Sequence, residues 1–220
     1  ENLNNFGYCV IPNVINQQDI DYCKDLFFQW KDKIPNHDFL HKSIDPHGIY
    51  KYFNVGHTQM AWYLRTRPEI QNIFKYLWDT NDLVVSFDGC CYISKDNQQK
   101  DNCWTHTDQA SNNSDLQCYQ GFIALTTNRE RTLVIYEGSH LLHKDYFKEK
   151  NINNSKNWNI ICPKYLENIK ENKKILNIPA GSLVLWDSRV FHQNQYGKPN
   201  SEERLVQYIC YLPKNNPKNS

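Results

Sequence analysis

Two imidazoles and a carboxylate stand in an ordered set: His106 and Asp108 in the run Trp104-Thr105-His106-Thr107-Asp108-Gln109, and His192 closing Trp186-Asp187-Ser188-Arg189-Val190-Phe191-His192. Such a set can occupy one face of an octahedral Fe(II) and leave positions for a bidentate 2-oxo acid and for dioxygen. One residue separates His106 from Asp108, so on an extended strand both project to the same side and converge on one ion. An HxD triplet alone is weak evidence, because His and Asp are common on exposed loops. The ordered partners His192 and, twelve positions later, Arg204 give it weight.

Arg204 opens the apolar and aromatic run Arg204-Leu205-Val206-Gln207-Tyr208-Ile209-Cys210-Tyr211-Leu212, which reads as the last core strand. An arginine there is costly to bury unless it meets an anion, and its planar fork suits a carboxylate. The distal carboxylate of 2-oxoglutarate fits that requirement. The competing reading is a surface salt bridge with Glu202 or Glu203.

These residues need a scaffold, and the hydrophobic pattern supplies one. Ile178-Pro179-Ala180-Gly181-Ser182 reads as a turn and Leu183-Val184-Leu185-Trp186 as a buried strand, with His192 just past its end. Upstream, Asn16 or the Gln17-Gln18-Asp19 stretch starts an amphipathic helix with apolar positions Ile20, Cys23, Leu26, Phe27 and Trp30 at helical spacing. A second helix runs from Pro68 to Trp78, with proline in its first turn and Ile70, Ile73, Phe74 and Leu77 on one face. Beyond Asn81-Asp82 the pattern turns strand-like, with strands expected over 83–94, 117–125, 132–137, 175–178, 183–187 and 205–212. The Asn- and Lys-rich stretch from Lys148 to Lys174 and the tail from Pro213 read as loops. The expected fold is mainly β with flanking helices around a double-stranded β-helix (jelly-roll, cupin-like) core. One domain is expected over 1–220, with helical support mainly over 16–80 and a barrel mainly over 83–212.

Several segments, in order, resemble the phytanoyl-CoA dioxygenase-like family of Fe(II)/2-oxoglutarate-dependent oxygenases, and the resemblance covers nearly the whole chain. They are Phe6-Gly7-Tyr8-Cys9-Val10-Ile11-Pro12-Asn13-Val14-Ile15 with Gln17-Gln18-Asp19-Ile20, then Tyr119-Gln120-Gly121-Phe122-Ile123-Ala124-Leu125, then Leu133-Val134-Ile135-Tyr136-Glu137-Gly138-Ser139-His140, and the final ligand strand with its arginine. The resemblance implies that His106, Asp108 and His192 ligate iron and that Arg204 anchors 2-oxoglutarate. It further implies hydroxylation of an unactivated C–H bond of a small molecule, using dioxygen, with succinate and carbon dioxide as co-products and ascorbate as reductant in vitro. Asp108 disfavours the halogenating variants, which place a small residue there. The chain departs from the family over Thr126-Thr127-Asn128-Arg129-Glu130-Arg131-Thr132, which lacks the usual glycines and acidic residues, so no substrate contact is carried over from that loop. Asn194 and Tyr92 are candidate hydrogen-bond donors to the 2-oxo acid. Gln109, Trp104, Asp88 and Arg189 are candidate substrate contacts, beside the aromatic stretch Tyr50-Lys51-Tyr52-Phe53. The rivals are a catalytically silent barrel kept as a binding module and a cupin-like metalloenzyme that uses no 2-oxo acid. Arg204 discriminates the second.

Composition limits the partners. A formal net charge of +1 and no basic run argue against nucleic acid, because phosphate neutralisation needs clustered Lys and Arg. Lys148, Lys150, Lys170, Lys173 and Lys174 alternate with Glu and Asn as a solvated face does. Eight cysteines at irregular spacing without a CxxC pair point to reduced thiols, with Cys90 and Cys91 on opposite faces of one strand. No signal peptide and no apolar run of membrane-spanning length are visible, so a soluble, intracellular, cytoplasmic protein is expected, with oligomeric state open. Because residue 1 is Glu, whether a targeting segment preceded it stays open as well. A second metal at His37, His41 and His47 is disfavoured, since isolated histidines are usually exposed or hydrogen-bonded. His140 and His143 read as turn and loop residues, and Gly138-Ser139-His140 lacks the setting of a hydrolase nucleophile.

Overall fold

Strand alternation divides the apolar residues between two packed layers. The computed structural model describes residues 1–37 and 47–216, so His41 lies outside the described residues. The larger sheet contains β1 (Tyr8–Ile11), β2 (Ile49–Tyr50), β4 (Cys90–Ile93), β6 (Tyr119–Ala124), β10 (Leu183–Asp187) and β12 (Arg204–Tyr208), in the antiparallel order β1-β10-β6-β12-β4-β2. The smaller contains β5 (His106–Thr107), β7 (Leu133–Tyr136), β8 (Asn159–Ile160), β9 (Lys173–Ile175) and β11 (His192–Asn194), in the order β8-β5-β11-β7-β9. Two further strands, β3 (Leu83–Val85) and β13 (Tyr211–Pro213), pair with each other. The architecture is mainly β with flanking helices, as expected, in a jelly-roll of two facing sheets that does not close into a barrel.

Cys91, Ile93, Phe122, Ala124, Val184, Trp186 and Val206 point inward to meet Leu133 and Ile135 of the smaller sheet. The alternate residues Cys90, Ile123, Leu183, Leu185 and Leu205 face outward, under α2 (Gln17–Lys31), α3 (Gln59–Arg65) and α4 (Pro68–Trp78). Helix α2 is capped by the Asn16 side chain, which accepts from the Asp19 amide, and α4 starts on Pro68 as its sequence predicts. Phe27 and Phe74 are fully buried beneath these helices, and each such side chain contributes about 1.5–3 kcal/mol, more than intrinsic helix propensity supplies. A third cluster, Tyr136, Tyr146, Phe147, Ile161, Leu166 and Phe191, seats α5 (Ser139–Glu149) and α6 (Pro163–Asn168) on the smaller sheet; α1 (Asn2–Phe6) precedes β1.

Six differences from the sequence expectations matter. The strand expected over 83–94 breaks at Ser86–Gly89, and the one over 205–212 breaks between β12 and β13. The break is held by close backbone approaches: a Cβ on Gly89 would overlap the Tyr50 carbonyl, and one on Gly56 the Phe87 carbonyl. The strand expected over 175–178 lies at Lys173–Ile175, and His192, expected past a strand end, opens β11. His140 and His143 lie in α5, and α6 falls within the stretch read as loop. No helix among the described residues is long and apolar enough to cross a membrane.

Candidate metal centre

His106 of β5 and His192 of β11 are directly opposed cross-strand partners in the smaller sheet, so both imidazoles project from neighbouring positions on one face. Their ring centroids are 4.4 Å apart. Asp108, one strand step beyond His106, brings Oδ1 to 3.6 Å from His106 Nε2 and Oδ2 to 3.4 Å from His192 Nε2. One ligand atom from each of the three lies within 4.8 Å of the others.

The ring orientations are set locally. His106 Nδ1 sits 3.2 Å from the Trp104 carbonyl oxygen and His192 Nδ1 3.1 Å from that of Val190, so in both cases the Nδ1–H tautomer is selected and Nε2 keeps its lone pair. The Trp104 ring stacks on His106, and Trp104 Nε1 donates to the Asn194 carbonyl at 2.9 Å. Gln120 Nε2 donates to Asp108 Oδ2 at 2.9 Å, and its Oε1 accepts from Trp186 Nε1 at 2.8 Å, which fixes the carboxylate from behind. Burial lowers the His106 pKa, and the charge of His192 lowers it further, against the pull of Asp108. Burial pushes the Asp108 carboxyl up, but the adjacent His106 and His192 imidazoles outweigh this and hold it well below the usual carboxylate range. Neutral imidazole beside ionised carboxylate is the protonation state a divalent metal requires.

Arg204 occupies the opposite sheet. It shares the inward phase of β12 with Val206 and Tyr208, is fully buried, and lies with its guanidinium carbon 5.4 Å from the centre of the Phe122 ring. None of Nε, Nη1 and Nη2 has a hydrogen-bond partner among the described residues. The salt-bridge alternative fails: Glu202 accepts from the amides of Arg129 and Arg131, and Glu203 from the Tyr92 hydroxyl. Asn194 faces inward on β11, and its Nδ2 donates to the Tyr208 hydroxyl at 3.0 Å. Burial raises the Tyr208 phenol well above its ordinary value despite the neighbouring Arg204 charge, so it remains protonated.

The triad opens into a cavity of about 710 Å³ lined also by Trp104, Trp158, Gln120, Asn194, Tyr208 and Asp88. Other expected site residues are placed elsewhere. Tyr92 lies on the outward phase of β4, packed on Phe27 and Phe28 with its hydroxyl on Glu203, which removes it from the 2-oxo acid. Gln109 is buried as a bracket, donating to the carbonyls of Asn113 and Asp115 and accepting from Ser188 Oγ, so it has no group left for substrate. Arg189 grips Asp187 through Nε and Nη2 at 2.9 and 2.6 Å and donates to the Ser114 carbonyl, a loop clamp rather than a substrate contact. His37 pairs with the Tyr50 hydroxyl and His47 stacks on Trp104, and neither belongs to a metal-ligating cluster among the described residues. None of the eight cysteines forms a disulfide, and Cys90 and Cys91 lie on opposite faces of β4. The sequence reading gave no role to Gln120 or Tyr208. The signal was a polar residue on the inward phase of an otherwise apolar strand.

No protein-family model matches the chain. It is 26% identical over 232 residues, covering 94% of this chain and 75% of the relative, to the Ava biosynthesis cluster protein O of Aspergillus versicolor. Among solved structures, HygX from Streptomyces hygroscopicus, with nickel and 2-oxoglutarate bound, matches with a TM-score of 0.65 at 12% identity, over 97% of this chain and 84% of that one. The epimerase SnoN, in complex with Fe3+, alpha ketoglutarate and nogalamycin RO, matches with a TM-score of 0.59 at 17% identity, over 96% and 80% of the two chains. At these identities the likeness establishes the fold, that of non-heme enzymes crystallised with a metal and 2-oxoglutarate, consistent with the family resemblance of the sequence.

Proposed function

We propose that this protein is an Fe(II)- and 2-oxoglutarate-dependent oxygenase that hydroxylates a C–H bond of a small molecule. The observation that carries the reading is the pairing of the His106–Asp108–His192 cluster with a fully buried guanidinium whose three nitrogens lack partners. A buried charge without a partner costs several kcal/mol, and a carboxylate docked on it offsets that cost. Among the rivals, a cupin-like metalloenzyme without a 2-oxo acid has no use for such an arginine.

In this reading His106, Asp108 and His192 would hold Fe(II), and the Arg204 guanidinium, whose planar fork suits a carboxylate, would anchor the distal carboxylate of 2-oxoglutarate. The metal and cosubstrate together supply an oxidant from dioxygen, with succinate and carbon dioxide released. The chain does the rest through position. The Trp104 and Val190 carbonyls aim the two imidazoles, Gln120 holds the Asp108 carboxylate, and Asn194 with the protonated Tyr208 presents hydrogen-bonding groups on the Arg204 side of the cavity. Trp104, Trp158 and Trp186 wall the cavity and exclude water from the reacting centre. Because the same fold serves an epimerase, hydroxylation is distinguished by the product, which gains one oxygen atom.

The test is succinate release with Fe(II), ascorbate and 2-oxoglutarate across amino acids, acyl-CoAs and sugars, with Asp108→Ala as control. Substrate-stimulated succinate in the native protein and at least a thousandfold less in the variant is expected, the scale seen when an essential group is removed. Equal succinate from both would sink the triad.

A further inference from the structure

Asp88 is held in the cavity by more structure than an ordinary loop residue needs. It lies in the break between β3 and β4, where its main-chain carbonyl accepts from Arg65 Nη2 at 3.0 Å and from Gln207 Nε2 at 3.2 Å. Arg65 is itself buried and spends Nη1 on the Gly56 carbonyl, and the tight contacts at Gly56 and Gly89 fix the flanking backbone. The Asp88 carboxylate, by contrast, accepts only from the Ser86 hydroxyl and forms no ion pair among the described residues. A carboxylate has about four lone-pair positions, so most of its accepting capacity stays available. Lys51 lines the same cavity, is exposed, and likewise has no ion pair or hydrogen bond among the described residues.

From this we infer that the substrate is a small zwitterion, with a protonated amine on Asp88 and a carboxylate on Lys51, its aliphatic body lying against Trp158. The inference rests on the oxygenase reading of the same site. Its physical ground is desolvation: a substrate that fills the cavity strips water from Asp88, and a neutral group there leaves the carboxylate only the Ser86 hydroxyl and the more distant attraction of Arg65, whereas an ammonium pairs with it directly. Lys51 is the complement at the exposed side. Trp158, 39% exposed as a residue and with its ring centroid 5.6 Å from that of His106, offers an apolar plate next to the candidate metal centre.

The experiment uses the full chain loaded with Mn(II) and 2-oxoglutarate, titrated calorimetrically without turnover. The probes are free α- and ω-amino acids of increasing length, each beside its N-acetyl and its amide derivative. At least one free amino acid is expected to bind tenfold or more tightly than both capped forms. Asp88→Asn is expected to weaken it at least tenfold and abolish discrimination against the N-acetyl form, Asp88→Glu to restore part of it, and Lys51→Met to weaken it about threefold to tenfold and abolish discrimination against the amide. Capped forms binding as tightly as the parents, an unchanged affinity in Asp88→Asn, or no amino acid binding while Mn(II) and 2-oxoglutarate bind normally would each overturn the inference alone. Failure of the native protein to bind Mn(II) with 2-oxoglutarate would overturn it together with the oxygenase reading.

Discussion

Arg65 and Arg204 are both almost completely removed from solvent, yet they are treated in opposite ways. Arg65, at the end of α3, donates to the carbonyls of Gly56 and Asp88 and lies beside the Trp62 and Phe87 rings, its guanidinium carbon 5.4 and 5.8 Å from their centres. Arg204, between the sheets, faces an aromatic ring and otherwise makes no hydrogen bond among the described residues. Burial is the same; satisfaction is not. A guanidinium whose two terminal nitrogens are taken up by carbonyls of its own chain holds structure together, and one whose three nitrogens are all idle is built for something that arrives.

The sharpest way to break this contrast is to remove each charge in turn. Arg65→Met is expected to cost about 3–5 kcal/mol of unfolding free energy, since it strands buried carbonyls and loses aromatic contacts. Denaturant titration reads this directly, and a loss below about 1 kcal/mol would erase the distinction. Arg204→Met should weaken 2-oxoglutarate about a hundredfold or more while leaving Mn(II) affinity close to native, because truncating one side of a buried charge pair costs about 2–5 kcal/mol. Without cosubstrate its midpoint of thermal unfolding should equal or exceed the native one, an apolar side chain replacing an unpaired charge. A fall as large as that of Arg65→Met would make Arg204 a structural residue.

Gln120→Leu sharpens the contrast at the triad. It removes the donor to Asp108 without touching a ligand, and is expected to lower Mn(II) affinity about tenfold to a hundredfold, the usual effect of losing a group that orients a metal ligand. An unchanged affinity would mean that the two imidazoles hold Asp108 by themselves. The smallest effect concerns pH. Burial, with His106 and Lys51 adding, pushes the His47 pKa down to about 4, while the unfolded imidazole titrates near 6.5. Between these values the unfolded chain binds more protons, so stability is full above about pH 6.5 and declines as pH falls toward 4. His47→Phe, which keeps the stack on Trp104, should flatten that slope in metal-free protein.

The His106–Asp108–His192 cluster and the buried Arg204 were legible in the sequence because each is a charged or imidazole side chain at a fixed phase relative to apolar neighbours. Tyr92 was misassigned for a physical reason. Both faces of the larger sheet are buried, so Cys90, Cys91, Tyr92 and Ile93 show no polar–apolar alternation to tell the cavity side from the helix side. The order of β6 held the missing clue, since Gln120 shares its inward phase with Phe122 and Ala124. Helix α5 was hidden because His140, His143 and Tyr146 form much of its buried face, and polar side chains there blur the apolar stripe. Gln109 and Arg189 looked like substrate contacts because proximity in sequence to a ligand does not reveal which way a side chain points.

Each ligand imidazole leans on the carbonyl only two residues before it. The aim of the candidate metal site is thus set within two residues of each imidazole, by the segments that lead directly into β5 and β11, and not by the longer connections elsewhere. Asp88, Lys51 and Trp158 all sit outside the strands, on those connections. Insertions, deletions and point changes there can reshape the cavity while the geometry of the His106–Asp108–His192 cluster is kept, so under the proposed function the molecule separates what is heritable as reaction from what is adjustable as diet.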